Sequence, residues 1–149
     1  MQDRIEKSIE LKAPIARVWR ALTNHEEFGE WFRVKLDGPF VVGEVSRGTV
    51  TFPDYEGLKW EATVVAMEAE RLFSFTWCPY AHDEDRDYSK APKTLVEFRL
   101  EPISNGTRLV ISESGFNNLP DDALRIDALR SNTQGWNIQA ANLAAYVES

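Results

Sequence analysis

The chain has 149 residues, a formal net charge of −7, 43% hydrophobic and 11% aromatic residues. That length can bury one sizeable core, and that apolar content excludes a disordered chain. The acidic balance disfavours nucleic acid and anionic membranes as partners, because phosphate binding needs clustered Lys and Arg.

Residues 5–11 open with a loose apolar–charged alternation, so Ile5, Ile9 and Leu11 predict a first strand. Ala13-Pro14 ends it, and Pro14 suits the first turn of a helix, where a missing N–H costs nothing. Ile15, Val18, Trp19 and Leu22 follow at helical spacing, with Asn24 as the stop. A second short helix carries Glu26, Glu27, Phe28, Trp31 and Phe32.

From Leu36 the pattern turns to strands and turns. Gly38-Pro39 and Gly43 separate two runs, around Phe40–Val42 and Val45–Phe52, and residues 53–57 form a turn. Trp60–Met67 is a strand. Leu72–Trp77 is another, with Phe73, Phe75 and Trp77 on one face. Residues 79–93 are an acidic, polar insert read as a solvated loop; His82 is a surface residue there, and Tyr80 and Tyr88 flank it. From Thr94 to Ile103 the alternation is strict, with Val96, Phe98 and Leu100 on one face. Asn105-Gly106 marks a hairpin, and Thr107–Ser114 returns with Leu109, Ile111 and Glu113 on one face.

The last stretch advances by threes and fours: Ile126, Leu129, Thr133, Trp136, Ala140, Leu143, Val147. That stripe predicts a long amphipathic helix lying on the sheet. Asn132 and Gln139 sit at its edges. Small Ala140 beside bulky Trp136 fits either a seam that leaves a gap or ordinary core packing with Ala for close approach. Short turns between neighbouring strands imply an antiparallel sheet, so the whole is one α+β domain over residues 1–149.

The residues expected at the seam are Trp31, Phe32, Trp60, Phe75, Trp77, Phe98, Glu113, Trp136 and Ala140. An aromatic lining with few polar groups is the usual composition of a ligand pocket. Glu113 is the polar exception: the alternation that buries Leu109 and Ile111 either buries it too, where a carboxylate is costly unless hydrogen-bonded or paired, or leaves it solvated at the open strand end. It can anchor a ligand or act as a general acid or base.

Other chemistry is thin. Two His and one Cys cannot supply a zinc site of the usual spacing, and no glycine pair has the spacing of a phosphate loop. No metal or cofactor is therefore expected. Cys78, alone, cannot make an internal disulfide and reads as an inert thiol. The apolar runs are too short to span a bilayer, and no leader pattern opens the chain, so the cytosol is the expected location.

Two motifs carry a family resemblance. Ala13, Pro14, Val18, Trp19, Ala21, Leu22, Trp31 and Phe32 resemble the opening of the START-like, or SRPBCC, superfamily, in its branch related to the C-terminal domain of the activator of heat-shock-protein-90 ATPase. Glu113, Ser114, Gly115, Phe116, Gly135, Trp136, Leu143 and Tyr146 resemble its ending. The resemblance implies a helix-grip fold: a curved antiparallel sheet of about six to seven strands around a long C-terminal helix, two short helices after the first strand, and a cavity between sheet and helix. Relatives often carry a bulkier apolar residue at the position of Ala140. The chaperone activator's separate N-terminal domain has no counterpart in these residues.

Three functions follow as expectations. The first is binding of a small hydrophobic ligand, lipid-like or aromatic, with Glu113 orienting its polar end. The second is an enzyme of the polyketide cyclase/aromatase or hydrolase type, for which Glu113 is the catalytic candidate. The third is a chaperone-associated, stress-linked interaction module. An edge strand could also pair with a second copy to give a homodimer.

Overall fold

The fold was determined as a computed structural model that describes residues 3–79 and 92–148. His82, Tyr80 and Tyr88 lie outside the described residues. The order is β1 (Arg4–Leu11), α1 (Ile15–Thr23), α2 (His25–Phe32), β2 (Val34–Leu36), β3 (Val45–Val50), β4 (Lys59–Glu68), β5 (Leu72–Trp77), β6 (Thr94–Ile103) and β7 (Gly106–Ser114). A 3-10 turn (Phe116–Asn118) then leads into α3 (Asp122–Val147).

Local chemistry sets the boundaries. Asn24 ends α1 and caps α2: its side chain accepts from the backbone N–H groups of Glu26 and Glu27 at 3.1 and 3.0 Å. Arg33, at φ 71°, ends α2 in the left-handed region and turns the chain into β2. Asp121 caps α3 by accepting from Leu124 N–H at 3.1 Å. Gly106 closes the β6–β7 hairpin at φ 152°, and a Cβ there would stand 2.0 Å from the carbonyl oxygen of Leu11. Only glycine fits that approach.

The strands form one antiparallel sheet in the order β1-β7-β6-β5-β4-β3-β2. It is a meander from β2 to β7, with β1 added beside the last strand. Arg4 pairs with Ser114 and Leu11 with Thr107 along the full length of β1. Alternation sends Trp60, Ala62 and Val64 of β4, Phe73 and Phe75 of β5, Val96 and Phe98 of β6, and Leu109 and Ile111 of β7 into the core. Phe28, Phe73, Phe75, Phe98 and Phe116 are fully buried, each contributing about 1.5–3 kcal/mol from its burial.

Two expectations are corrected. Phe40–Val42 is not a strand. Phe40 instead plugs the core, its ring edge-on to Phe28 and tilted against Phe73 at 5.4 and 5.0 Å, while Val41 and Val42 are exposed. The neighbouring strand is Val34–Leu36, which pairs with β3. On α3, Trp136, Ala140, Leu143 and Val147 are buried as the stripe requires, but Ile126 and Thr133 are exposed and Leu129 is only half-buried. Ahead of Trp136 the inward row runs through Ala128 and Asn132, in steps of four. No helix among the described residues is long and apolar enough to cross a membrane.

Candidate functional site

Helix α3 is tied to α1 and α2 near its C-terminus and to the end of α2 in mid-helix. Near its C-terminus, Tyr146 O–H donates to Glu27 Oε1 at 3.2 Å, and Arg17 stacks over the Tyr146 ring at 4.8 Å. Glu27 also accepts from Arg17 at 2.5 Å and pairs with Arg20 at 2.7 Å, so one carboxylate joins α1, α2 and α3. Burial pushes the Glu27 carboxyl up. Hydrogen bonds from Arg17 and Tyr146, with the charges of Arg17 and Arg20, outweigh it and hold the group below its ordinary value. In mid-helix, buried Gln139 donates to the carbonyl of Phe32 at 2.9 Å.

This places the middle of α3 against a continuous group of rings. Phe32 touches Trp60, Trp77 and Trp136 at centroid distances of 5.3, 6.2 and 6.2 Å. Trp77 and Trp136 lie 5.8 Å apart, and Phe98 stands edge-on to Trp136 at 5.8 Å. Phe75 bridges Trp60 and Trp77. Trp31 packs behind, against Phe28 and Phe32, with its N–H donated to the carbonyl of Ala21. Ala140 is buried one turn after Trp136. The structure thus gathers the sequence-derived aromatic residues around one seam.

Glu113 sits at the centre of that seam and is fully buried. Its Oε1 accepts from Trp136 Nε1–H at 2.9 Å and from the Asn132 amide at 3.0 Å. Its Oε2 accepts from Trp77 Nε1–H at 2.8 Å, from Thr94 O–H at 2.6 Å and from Asn132 at 3.1 Å. All four groups act as neutral donors toward it, which is the surrounding an acceptor-only carboxylate needs. No ion pair among the described residues includes Glu113.

Thr94 and Asn132 are the contributors that a hydropathy reading underrates. Thr94 lies two residues before Val96, so strand alternation already points it inward. Asn132 lies one helical turn before Trp136. Phe32, Trp77 and Asn132 are half-buried and form the outer edge of the site, whereas Trp60, Phe75, Phe98 and Trp136 lie behind them, buried.

The rings meet one another across the seam, where the alternatives beside Ala140 were a gap or close packing. Two open grooves among the described residues lie away from this ring group. One, of about 420 Å³, runs along the exposed face of α3 between Ile126, Leu129, Arg130, Thr133 and Gln134. The other, of about 410 Å³, lies near Lys12, Pro14, Pro102 and Asn105. Among the described residues no group of His, Cys, Asp and Glu is arranged to hold a metal ion. Cys78 is half-buried.

A seven-stranded antiparallel sheet with a long C-terminal helix laid on its aromatic face defines a helix-grip protein of the START-like class. The profile of the Activator of Hsp90 ATPase homolog 1-like protein family matches residues 12–148, and the chain belongs to that family. A structure from Mesorhizobium loti is similar with 25% identity and a TM-score of 0.75, over 96% of this chain and 95% of that one. A protein in the dynemicin biosynthetic locus has 22% identity and a TM-score of 0.75, over all of this chain and 48% of that one. The Aha1 dimer from Colwellia psychrerythraea has 18% identity and a TM-score of 0.71, over 99% and 97%. The last two likenesses concern the fold. No curated protein matches significantly.

Proposed function

We propose that the protein binds a small hydrophobic molecule at the seam between sheet and α3, with the polar end of that molecule directed to Glu113. The observation that carries this reading is the fully buried carboxylate of Glu113, set inside a wall of aromatic rings and held, among the described residues, by neutral donors. Phe32, Trp77 and Asn132, half-buried at the edge, are the side chains that move to admit the ligand. Trp31, Phe32, Trp60, Phe75, Trp77, Phe98, Trp136 and Ala140 supply the apolar surroundings. Burying one aromatic-sized group is worth about 1.5–3 kcal/mol, so a few such contacts reach micromolar affinity, about −8 kcal/mol.

The test is an amide and indole NMR titration with fatty acids, fatty amines, flavonoids and polyketide-like aromatics. Saturable shifts at the indole N–H signals of Trp60, Trp77 and Trp136 are expected. A well-folded protein in which none of these signals moves refutes the reading. Turnover of a bound polyketide-like compound, abolished in Glu113→Gln, would instead make the site that of a cyclase or hydrolase.

A second reading is favoured by the closed packing of the rings together with a patch of exposed aliphatic residues. Val41, Val42 and Val45 are 46%, 52% and 41% exposed beside the β2–β3 edge. In that reading the protein is an interaction module of the cytosol, with a chaperone or a second copy as partner. Sizing by light scattering and capture of a stoichiometric chaperone from cytosolic extract separate it from the first.

A further inference from the structure

The ring group and Glu113 together have a charge preference, which names the class of ligand and rests on the ligand-binding reading above. Glu113 Oε1 and Oε2 accept from two indoles, one amide and one hydroxyl, and from no Lys, Arg or His among the described residues. A carboxylate so placed offers two acceptor oxygens and no donor, so it favours a ligand group that donates. Trp77 and Trp136 turn their N–H edges to it, and with Phe32 they form a triangle with sides of 6.2, 6.2 and 5.8 Å. The face of each ring carries the negative side of an aromatic quadrupole, which attracts cations. A cationic donor suits both features, and in a desolvated site they act through a low dielectric.

We infer that the seam selects organic cations: a molecule with an apolar body and an ammonium group that enters between Phe32, Trp77 and Trp136 and meets Glu113. The rings touch one another, so entry displaces Trp77, which is half-buried and holds Oε2 at 2.8 Å. The ammonium takes over that acceptor, while Trp136, buried at 3% exposure, keeps Oε1. A carboxylate ligand of the same body would bring like charge against Glu113 and is rejected.

The experiment compares three probes with one body: dodecylammonium, dodecanol and dodecanoate, each below its micellar threshold, titrated into the whole chain. The indole N–H signals of Trp77 and Trp136 are followed. Dodecylammonium is expected to bind at least tenfold more tightly than dodecanoate, a difference of about 1.4 kcal/mol, with dodecanol between them. The net charge of −7 attracts any cation weakly. Glu113→Gln removes the carboxylate's share of the preference and leaves that of the rings and the general attraction, so the ratio should fall severalfold. If that variant does not fold, Trp77→Leu takes its place, and should weaken the ammonium more than the alcohol. Equal binding of the three probes overturns the cation preference and keeps the ligand-binding reading. Tighter binding of dodecanoate overturns it too. Binding of none removes both.

Discussion

Replacing Glu113 by Gln changes one atom in the centre of the seam and tests whether its network stabilises the fold. The amide nitrogen must stand where one of two oxygens stood, and both oxygens face donors. If it replaces Oε1, Trp136 loses its acceptor and Asn132 keeps only Oε2. If it replaces Oε2, Trp77 and Thr94 lose theirs. The first arrangement is cheaper. It orphans one buried indole N–H at about 1–3 kcal/mol and turns the remaining charge-assisted bonds into neutral ones, at about 1 kcal/mol each. The neutral amide is easier to desolvate than a carboxylate, which returns part of this. The net expectation is a loss of about 2–3 kcal/mol. At roughly 2–4 °C per kcal/mol for a domain of this size, Tm should fall by about 4–12 °C. Thermal and urea unfolding, followed by tryptophan fluorescence, measure it. A variant as stable as the parent, or more so, refutes the claim that these hydrogen bonds outweigh the cost of burying the charge.

Three further outcomes are expected. Glu27→Gln should cost about 1–2 kcal/mol at neutral pH, because a partly buried carboxylate joins Arg17, Arg20 and Tyr146. Its folded pKa lies below the unfolded value of 4.5, so its contribution is present above pH 4.5 and is lost as pH falls through the folded value. The difference between parent and variant in a pH series of urea midpoints should therefore shrink only below pH 4.5. Asn24→Ala should cost about 1 kcal/mol through the lost cap of α2, read from the same midpoints, and Asn24→Asp should retain most of it. Gly106→Ala should cost more than a cap, about 1–3 kcal/mol or above, since its Cβ meets the Leu11 carbonyl; hydrogen exchange should show the loss concentrated in the β6–β7 hairpin and β1.

Alternation carried most of the fold. In β6 and β7 apolar and polar residues change places at every step, so Phe98 and Ile111 were legible before any coordinates, while for Glu113 alternation left an inward and a solvated position open. The region 34–42 was not. Val34–Leu36 is too short for a period to show, and Phe40 is a single apolar residue that fills the core from a loop. Hydropathy misphased the front of α3 for a different reason. Its inward row is held by a polar residue, Asn132, whose partner is the Glu113 carboxylate, while Ile126 is left outside. The aromatic residues of the site were legible by type and strand face. That their rings close on one another, and that Thr94 joins Glu113, depend on side-chain geometry that spacing does not encode.

The sheet order also has a temporal consequence. β1 is made before the other strands, yet among the described residues its partner strand is β7, and the pairing of Leu11 with Thr107 or Arg4 with Ser114 spans most of the chain. Every other strand can pair with a neighbour as soon as that neighbour is made. Closing so wide a loop is entropically expensive and slow. The first strand therefore waits, unpaired, until the meander beside it is complete. Its alternating charges at Arg4, Glu6, Lys7 and Glu10 keep that waiting edge soluble.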